Sequence, residues 1–544
     1  MGPVGRERHF ATMFEAIADE FGSDDALVHG DARHSWLEYD ALAARFAGFL
    51  DAQGIGHDQK VGLFLYNSNE YLIAQYGAFK CRAVPVNVNY RYLDDELAYL
   101  LENADVEVLV FHDSLADCVA RVAGRLPQLR VLVQVPEHGM APADLVPGAV
   151  RWSHALAADS MPRQQRSADD LYMLFTGGTT GMPKGVMFRM GDFVNRMLGG
   201  CYAYRGWAAP TADDDVVAFA VQQRAAGARR VGIPACPLMH GTGMWLGAIY
   251  VHLLGGSCVT LTGHRFDADE LWRVAQVERA DAITIVGDAF ARPMLDALDR
   301  AVAAGQPYEL GELQVIQSSG VMWSAEVQTG LLRHLDVRLA DSMGSTEAGI
   351  ARRIVTRGSP IETAVFELLP TSRVFTEDGR EVQPGSGETG RLAAGASVPI
   401  GYYKDPQKSA ATFPTIGGSR YTVAGDWASL DEHGRVVLLG RGSNCINTGG
   451  EKVFPEEVEE AMKRLHDVED CLVVGVPDER FGERVVAVVA LRPESAATPE
   501  MLLEDLRGRI SSYKAPRTVH VVEQIARAAN GKADYGWART VALP

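Results

Sequence analysis

The run Leu171-Tyr-Met-Leu-Phe-Thr-Gly-Gly-Thr-Thr-Gly-Met-Pro-Lys-Gly-Val186 constrains this chain more than any other stretch. Its apolar first half, Leu171 to Phe175, predicts a buried strand. That strand empties into a turn holding Gly177, Gly178, Gly181 and Gly185, the hydroxyls of Thr176, Thr179 and Thr180, and one cation, Lys184. Glycines let backbone N–H groups approach an anion closely, and an ammonium adds a mobile charge for phosphate. A nucleotide-triphosphatase P-loop needs Gly directly before its Lys and Ser or Thr directly after. Here Lys184 lies between Pro183 and Gly185, so this is a phosphate loop of another kind. A Gly-Thr pair alone would be an ordinary surface loop; strand, glycines, hydroxyls and lysine in one register favour a phosphate site.

Around this loop the chain alternates strand and helix. Phe10 to Gln53 has apolar spacing that fits helices. Val61 to Tyr66, Arg82 to Asn89 and Val106 to Phe111 read as strands, with helices at Glu70 to Phe79 and from Leu93 onward. Asp192 to Gly200 reads as a helix, Ala208 to Arg230 as an irregular polar excursion, and Leu253 to Leu261 and Ala282 to Val286 as buried strands. Such repeats imply a largely parallel sheet covered by helices, an α/β fold. Beyond Gly349 the pattern changes to hairpin turns at Glu377-Asp-Gly-Arg and Asp431-Glu-His-Gly-Arg. A separate small unit begins near Ser443, with strands at Cys471 to Val476 and Val485 to Leu491 and helices at Pro455 to Leu465 and Pro499 to Ser511.

With 544 residues the length prior is about two to four domains. A net charge of −18 argues against a nucleic-acid partner, which would need basic side chains against phosphates. Seven scattered cysteines without a C-x-x-C pair indicate neither a disulfide framework nor a zinc site, and suit a reducing compartment. The N-terminus lacks the apolar core of a signal peptide and the Ser or Thr of a myristoylation motif. No apolar run approaches the roughly 18 residues needed to span a membrane. A soluble cytoplasmic protein is the expectation.

The loop at Thr176 to Gly185 resembles the signature Thr-Ser-Gly-Thr-Thr-Gly-x-Pro-Lys-Gly of the adenylate-forming superfamily: acyl-CoA synthetases, firefly-type luciferases and peptide-synthetase adenylation domains. Gly177 stands where Ser is usual. The resemblance runs from about Phe10 to Arg539 and implies a large N-terminal domain, 1–441, of several subdomains with mainly parallel sheets. A small mobile α+β lid, 442–544, would turn about a hinge near Ser443, where Asp or Lys is usual.

The resemblance also implies roles residue by residue. The loop from Thr176 to Gly181 and Lys184 would hold the β- and γ-phosphates of ATP, with Thr180 beside Mg²⁺. In Asp341-Ser-Met-Gly-Ser-Thr-Glu347, Met343 takes the place of an adenine-stacking aromatic, Gly344 matches, Thr346 would lie near the α-phosphate and Glu347 towards Mg²⁺. Taken alone, that motif would read as a capped helix start. Ser319 and Gly320 align with an adenine-wall turn. His240, in Pro237-Leu-Met-His-Gly-Thr-Gly, would border the acyl site. Asp426 would accept both ribose hydroxyls, a carboxylate facing a diol, and Arg441 would contact ribose and phosphate. Gly449 and Gly450 would line the pantetheine tunnel, and Lys532 would bridge substrate carboxylate and α-phosphate.

The implied activity is ligation of a small-molecule carboxylic acid to CoA through an acyl-adenylate, with ATP, Mg²⁺ and CoA. Delivery to a carrier protein is the alternative, and a decayed nucleotide-binding module a third. The runs Gly287-Asp-Ala-Phe-Ala-Arg-Pro, Gly440-Arg-Gly-Ser and Gly531-Lys-Ala-Asp-Tyr look most like actinobacterial synthetases for fatty acids and steroid side chains. Small and apolar residues at His240 to Trp245 and Gly287 to Phe290 favour an apolar tail. The sequence leaves the oligomeric state open, a homodimer included.

Overall fold

A computed structural model describes residues 8–178, 181–208, 215–228, 230–321, 323–362, 365–441, 446–448, 451–478, 482–507, 509–510, 512, 514–527 and 533–543. The expectations at Thr179, Thr180, Ser443, Gly449, Gly450 and Lys532 lie outside these residues. By internal contacts the chain forms two units. The first gathers Met1–Gly349, Ile354–Ile361 and Ala396–Pro414; the second gathers Ile350–Arg353, Glu362–Gly395 and Thr415–Pro544.

In the first unit, Val84–Asn87, Lys60–Phe64, Val106–His112, Val131–Val135 and Ala149–Arg151 form one all-parallel sheet in that spatial order. Its strands are apolar on both faces, as parallel strands covered by helices must be. Val61, Leu63, Val108 and Val110 point into one core; Phe64, Val86, Leu109 and Phe111 point into another. A further run of parallel strands comprises Arg338–Gly344, Val315–Ser319, Ala282–Ile285, Val231–Pro234, Ser257–Thr260 and Asp25–His29. Asp25–His29 also pairs antiparallel with Ala32–Ser35 across a turn at Gly30, whose φ of +61° suits glycine.

That hairpin interrupts the segment that apolar spacing reads as helical. Helices are present at Phe10–Phe21 and Trp36–Ala52, but strand pairing with Ser257–Thr260 and within the Asp25–Ser35 hairpin claims the residues between. Ser35 and Glu38 then start the second helix with a reciprocal capping box. Two other segments differ from expectation. Val216–Ala225 is a helix, begun by the Asp215 carboxylate accepting from Val217 and Ala218 N–H groups. The run from Leu253 begins as the end of a helix, Tyr250–Leu253, and only Ser257–Thr260 is strand.

In the second unit, Ser372–Phe375, Thr389–Ala394, Asp426–Leu430, Val436–Arg441 and Val365–Leu368 lie side by side. The turn at Asp431 joins two of them as a hairpin, its carboxylate accepting from His433 and Arg435 N–H groups. The C-terminal sheet has Val468–Asp478 antiparallel to Gly482–Leu491, with Thr518–Val522 added parallel. Helices Pro455–Lys463 and Pro499–Leu506 cover one face through Val458, Met462 and Leu502, and helix Tyr535–Ala542 covers the other through Ala538 and Ala542. The Pro499 helix stops well before Ser511, because Arg507 leaves helical geometry.

Candidate active site

The described residues of the loop lie on two paired antiparallel strands. Leu171–Gly178 pairs with Gly181–Arg189 in a register that sets Thr176 opposite Lys184 and Phe175 opposite Gly185. A Cβ at Gly185 would lie 2.8 Å from Met173 Sδ and from the Phe175 ring, so any side chain there would have to displace these two side chains of the paired strand. Gly401–Tyr402 adds a third strand beside Val186 and Met187, and Tyr403 N–H donates to Gly185 O at 2.8 Å.

This third strand carries the link between two motifs that the sequence places far apart. The Tyr402 ring lies under Lys184, with Nζ 5.1 Å from its centroid. The Tyr402 hydroxyl donates to Glu347 Oε1 at 2.6 Å. Burial first, then the Glu347 carboxylate, push the Tyr402 phenol far above its usual range, so it stays a donor. Lys184 is pushed down to about 8, by burial and then by the Lys408 ammonium beside it. Two ammoniums in contact repel, and a polyanion between them would relieve both.

Glu347 does not open a helix. Strand Arg338–Gly344 runs through Met343, and Ser345 to Ala348 form a tight turn closed by Ser345 N–H to Ala348 O at 2.8 Å. A Cβ at Gly344 would sit 2.4 Å from Ala348 O, which explains the glycine. Met343 and Thr346 are half-buried and Glu347 is buried.

His240 follows a segment suspended from the first sheet. Asn87, at the C-terminal end of its strand, donates to Met239 O at 2.6 Å and Phe175 O at 2.8 Å, and accepts from Phe175 N–H at 2.7 Å. One buried amide thus ties strand Leu171–Gly178 to the residue before His240. Asn67 accepts from Leu238 N–H at 2.7 Å and donates to Cys236 O at 3.1 Å. Past His240 the chain enters a π-helix, Thr242–Ile249, a conformation concentrated at functional sites. The Ser319-Gly320 turn ends strand Val315–Ser319 with φ of +94° at Gly320, where a Cβ would lie 3.9 Å from Thr242 and Val286. Asp288 accepts from Ser324 N–H at 3.0 Å, so that carboxylate caps a neighbouring segment.

In the second unit Asp426 and Arg441 face each other in strand register. The backbone of Gly177, Gly178 and Gly181 is strand. Tyr402, Lys408, Asn67, Asn87 and Arg196 are additions that sequence reading does not single out. A signal existed for the two asparagines: both stand at or just past the C-terminal ends of parallel strands, where ligands of open α/β sheets bind.

Among the described residues no group of three or more His, Cys, Asp and Glu side chains could hold a metal, and no helix is long and apolar enough to cross a membrane. Glu347, with its Tyr402 bond leaving the second carboxylate oxygen to other partners, fits a Mg²⁺ ion that arrives on ATP and keeps phosphate and water ligands.

Comparison with known proteins identifies what the chain is similar to. The family profile "AMP-binding enzyme" matches residues 14–403, and "AMP-binding enzyme C-terminal domain" matches 457–532. The chain is 39% identical to a 3-oxocholest-4-en-26-oate–CoA ligase of Rhodococcus rhodochrous, covering 98% of this chain and 95% of that protein. It is 39% identical to a medium/long-chain-fatty-acid–CoA/3-oxocholest-4-en-26-oate–CoA ligase of Mycolicibacterium smegmatis, covering 98% and 96%. Two solved structures share the fold. One is the anthranilate CoA ligase AuaEII with anthranoyl-AMP, at TM-score 0.84 and 19% identity, covering 100% of this chain and 99% of that one. The other is ATP-bound MatB from Rhodopseudomonas palustris, at TM-score 0.81 and 23% identity, covering 97% and 98%.

Proposed function

This chain belongs to the family of AMP-binding enzymes, and from that premise we propose how its residues divide the work of an acid–CoA ligase. The enzyme is an ATP-dependent carboxylic acid–CoA ligase. A carboxylate oxygen attacks the α-phosphorus of Mg-ATP and pyrophosphate leaves. The CoA thiol then attacks the acyl carbonyl of the adenylate, its proton passes to solvent, and AMP leaves. Neither step asks for a covalent enzyme intermediate, so charge neutralisation and alignment are the protein's contribution.

The observation that carries the assignment of roles is the Lys184–Tyr402–Glu347 chain. It joins the phosphate hairpin to the Thr346-Glu347 turn, so that a triphosphate at the hairpin and a Mg²⁺ at Glu347 would be held as one body. In this reading Thr176, Gly177, Gly178, Thr179, Thr180, Gly181 and Lys184 bind the β- and γ-phosphates, with Thr180 and Glu347 on the metal. Met343, Gly344, Ser319 and Gly320 take the adenine, Thr346 the α-phosphate, and Asp426 and Arg441 the ribose. His240 borders the acid, Gly449 and Gly450 admit the pantetheine, and Lys532 bridges the reacting carboxylate and α-phosphate. The reading also makes 442–544 the mobile lid, turning near Ser443, a boundary that lies inside the second contact unit.

The acid is of fatty or steroid type. Support comes from the names of the relatives and from the buried, apolar Met244, Trp245 and Phe290 in the two segments assigned to the pocket. The buried free thiols support a cytoplasmic setting, and a homodimer is the proposed assembly, to be checked by light scattering. The test of function is pyrophosphate release across straight-chain, aryl and steroid acids, with CoA or a phosphopantetheinylated carrier as acceptor. Release with apolar acids and thioester on CoA is expected. Turnover only with amino or short polar acids would overturn the substrate assignment, and product only on the carrier would overturn the acceptor.

A further inference from the structure

Arg196 is a cation for which the roles assigned above provide no use. It belongs to helix Met190–Arg205, which begins where the phosphate hairpin ends. Its guanidinium carbon lies 5.3 Å from the Trp245 ring centroid, 5.6 Å from that of Phe188 and 5.9 Å from that of Phe193. These rings pack on one another, Phe193 to Trp245 at 5.0 Å and Phe188 to Phe193 at 4.9 Å, with Tyr172 stacked on Phe193 at 4.2 Å. The wall has spent its polar handles internally, because the Trp245 indole N–H donates to the Tyr172 hydroxyl at 2.6 Å. Arg196 Nη1 is shut off from solvent and has no hydrogen-bond partner among the described residues. Desolvation pulls the Arg196 pKa down, while Tyr250, Glu347 and Tyr172 pull it the other way.

Aromatic faces compensate a guanidinium only in part, since they bind its plane and leave its N–H edge unsatisfied. The side chain as a whole is half-buried, but a buried donor such as Nη1 is costly unless an acceptor meets it. Its position says which acceptor. Trp245 lies on the π-helix entered directly from His240, and Met244 N–H donates to His240 O at 3.0 Å. Phe188 is on the phosphate hairpin. The Nη1 donor is therefore in the aromatic wall between the hairpin and the His240 segment.

We propose that Arg196 is the acid-recognising cation of the acyl site, its guanidinium edge receiving an oxygen acceptor of the bound acid while the aromatic wall receives the apolar tail. The acceptor is the carboxylate to be activated or a second oxygen, such as a ketone, carried on the tail; a planar fork of N–H donors serves both. This inference rests on the reading that the acid binds beside His240 and Trp245.

The test uses the full chain with Arg196→Met, which keeps length and apolar volume, and Arg196→Lys, which keeps charge and loses the fork. Acid-dependent ATP–pyrophosphate exchange is measured on matched acids with and without a tail ketone, and thermal midpoints are measured alongside. The expected result for Arg196→Met is a rise in KM for acid of about 10-fold or more, as loss of a charge-assisted hydrogen bond implies. KM for ATP stays within about twofold, because the nucleotide contacts are untouched. The midpoint does not fall, since a buried donor with no acceptor has been removed. A rise confined to ketone-bearing acids assigns the tail oxygen, and an equal rise for all acids assigns the carboxylate. Unchanged KM for every acid, or KM for ATP rising in step with that for acid, overturns the proposal. If Arg196→Met does not fold, the same readings on Arg196→Lys decide, with a smaller rise expected. Wild-type enzyme that activates no acid at all would instead overturn the ligase reading beneath it.

Discussion

Replacing Tyr402 by Phe removes one oxygen and tests the link between the two nucleotide motifs. The ring stays: it packs 5.3 Å from Phe413 and lies under Lys184, and both contacts survive in phenylalanine. What is lost is the 2.6 Å bond to Glu347 Oε1, a neutral donor on a buried carboxylate. Hydrogen bonds to charged groups contribute about 1.5–3 kcal/mol, and each 1.4 kcal/mol is about tenfold, so the effect is roughly 10- to 100-fold. It should appear as a fall in kcat/KM for Mg-ATP in acid-dependent ATP–pyrophosphate exchange, because Glu347 would lose the bond that orients it for the metal role proposed for it. Thioester formation from supplied acyl-adenylate, which needs no triphosphate, should stay within about twofold of wild type on the same reasoning. Exchange within twofold of wild type would refute the reasoning. A matching loss in the thioester step would show that Tyr402 acts on folding.

Asn87→Ala removes three hydrogen bonds from a buried position and orphans the Phe175 and Met239 backbone groups. At about 1–3 kcal/mol per orphaned buried group, partly relieved by water, the stability loss should be near 3 kcal/mol in urea unfolding. Lys184, held at about 8, is cationic below that pH and neutral above it. Mg-ATP affinity should therefore be full on the acid side and fall as pH rises through about 8. Lys408→Ala removes a like charge, raises the Lys184 pKa and should move the fall to higher pH; titration calorimetry across that range checks both. Lys532→Ala should abolish adenylation while sparing thioester formation from supplied acyl-adenylate, and equal loss of both half-reactions would contradict a lid that uses two conformations.

Features legible in the sequence are those whose cause is local. The phosphate strand, the glycines at 178 and 181 and the hairpin turn at Asp431 follow from residue type within a few positions. The Thr346-Glu347 motif is visible as a pattern, but its geometry is not. A Ser/Thr-x-Glu run suits a helix start, and here strand pairing on both sides makes it a turn. The Asp25–Ser35 hairpin was hidden for a related reason: its pairing with Ser257–Thr260 spans more than 200 residues, and no local periodicity records that. The same distance effect hid the supporting residues. Tyr402 reaches Glu347 across 55 positions, Asn87 reaches Met239 across 152, and Asn67 reaches Leu238 across 171. Arg196 gave no sign because its environment is three aromatic rings and a missing acceptor.

In the proposed reaction the acid is activated by bonding its own oxygen to the α-phosphorus of ATP. Acid labelled with ¹⁸O in both carboxylate oxygens, incubated with the enzyme, Mg-ATP and CoA, tests it directly by mass spectrometry of the nucleotide and phosphate products. The expected result is one ¹⁸O in AMP, one left in the acyl-CoA, and none in pyrophosphate. Label in inorganic phosphate with ADP as the nucleotide product, or unlabelled AMP, would contradict it.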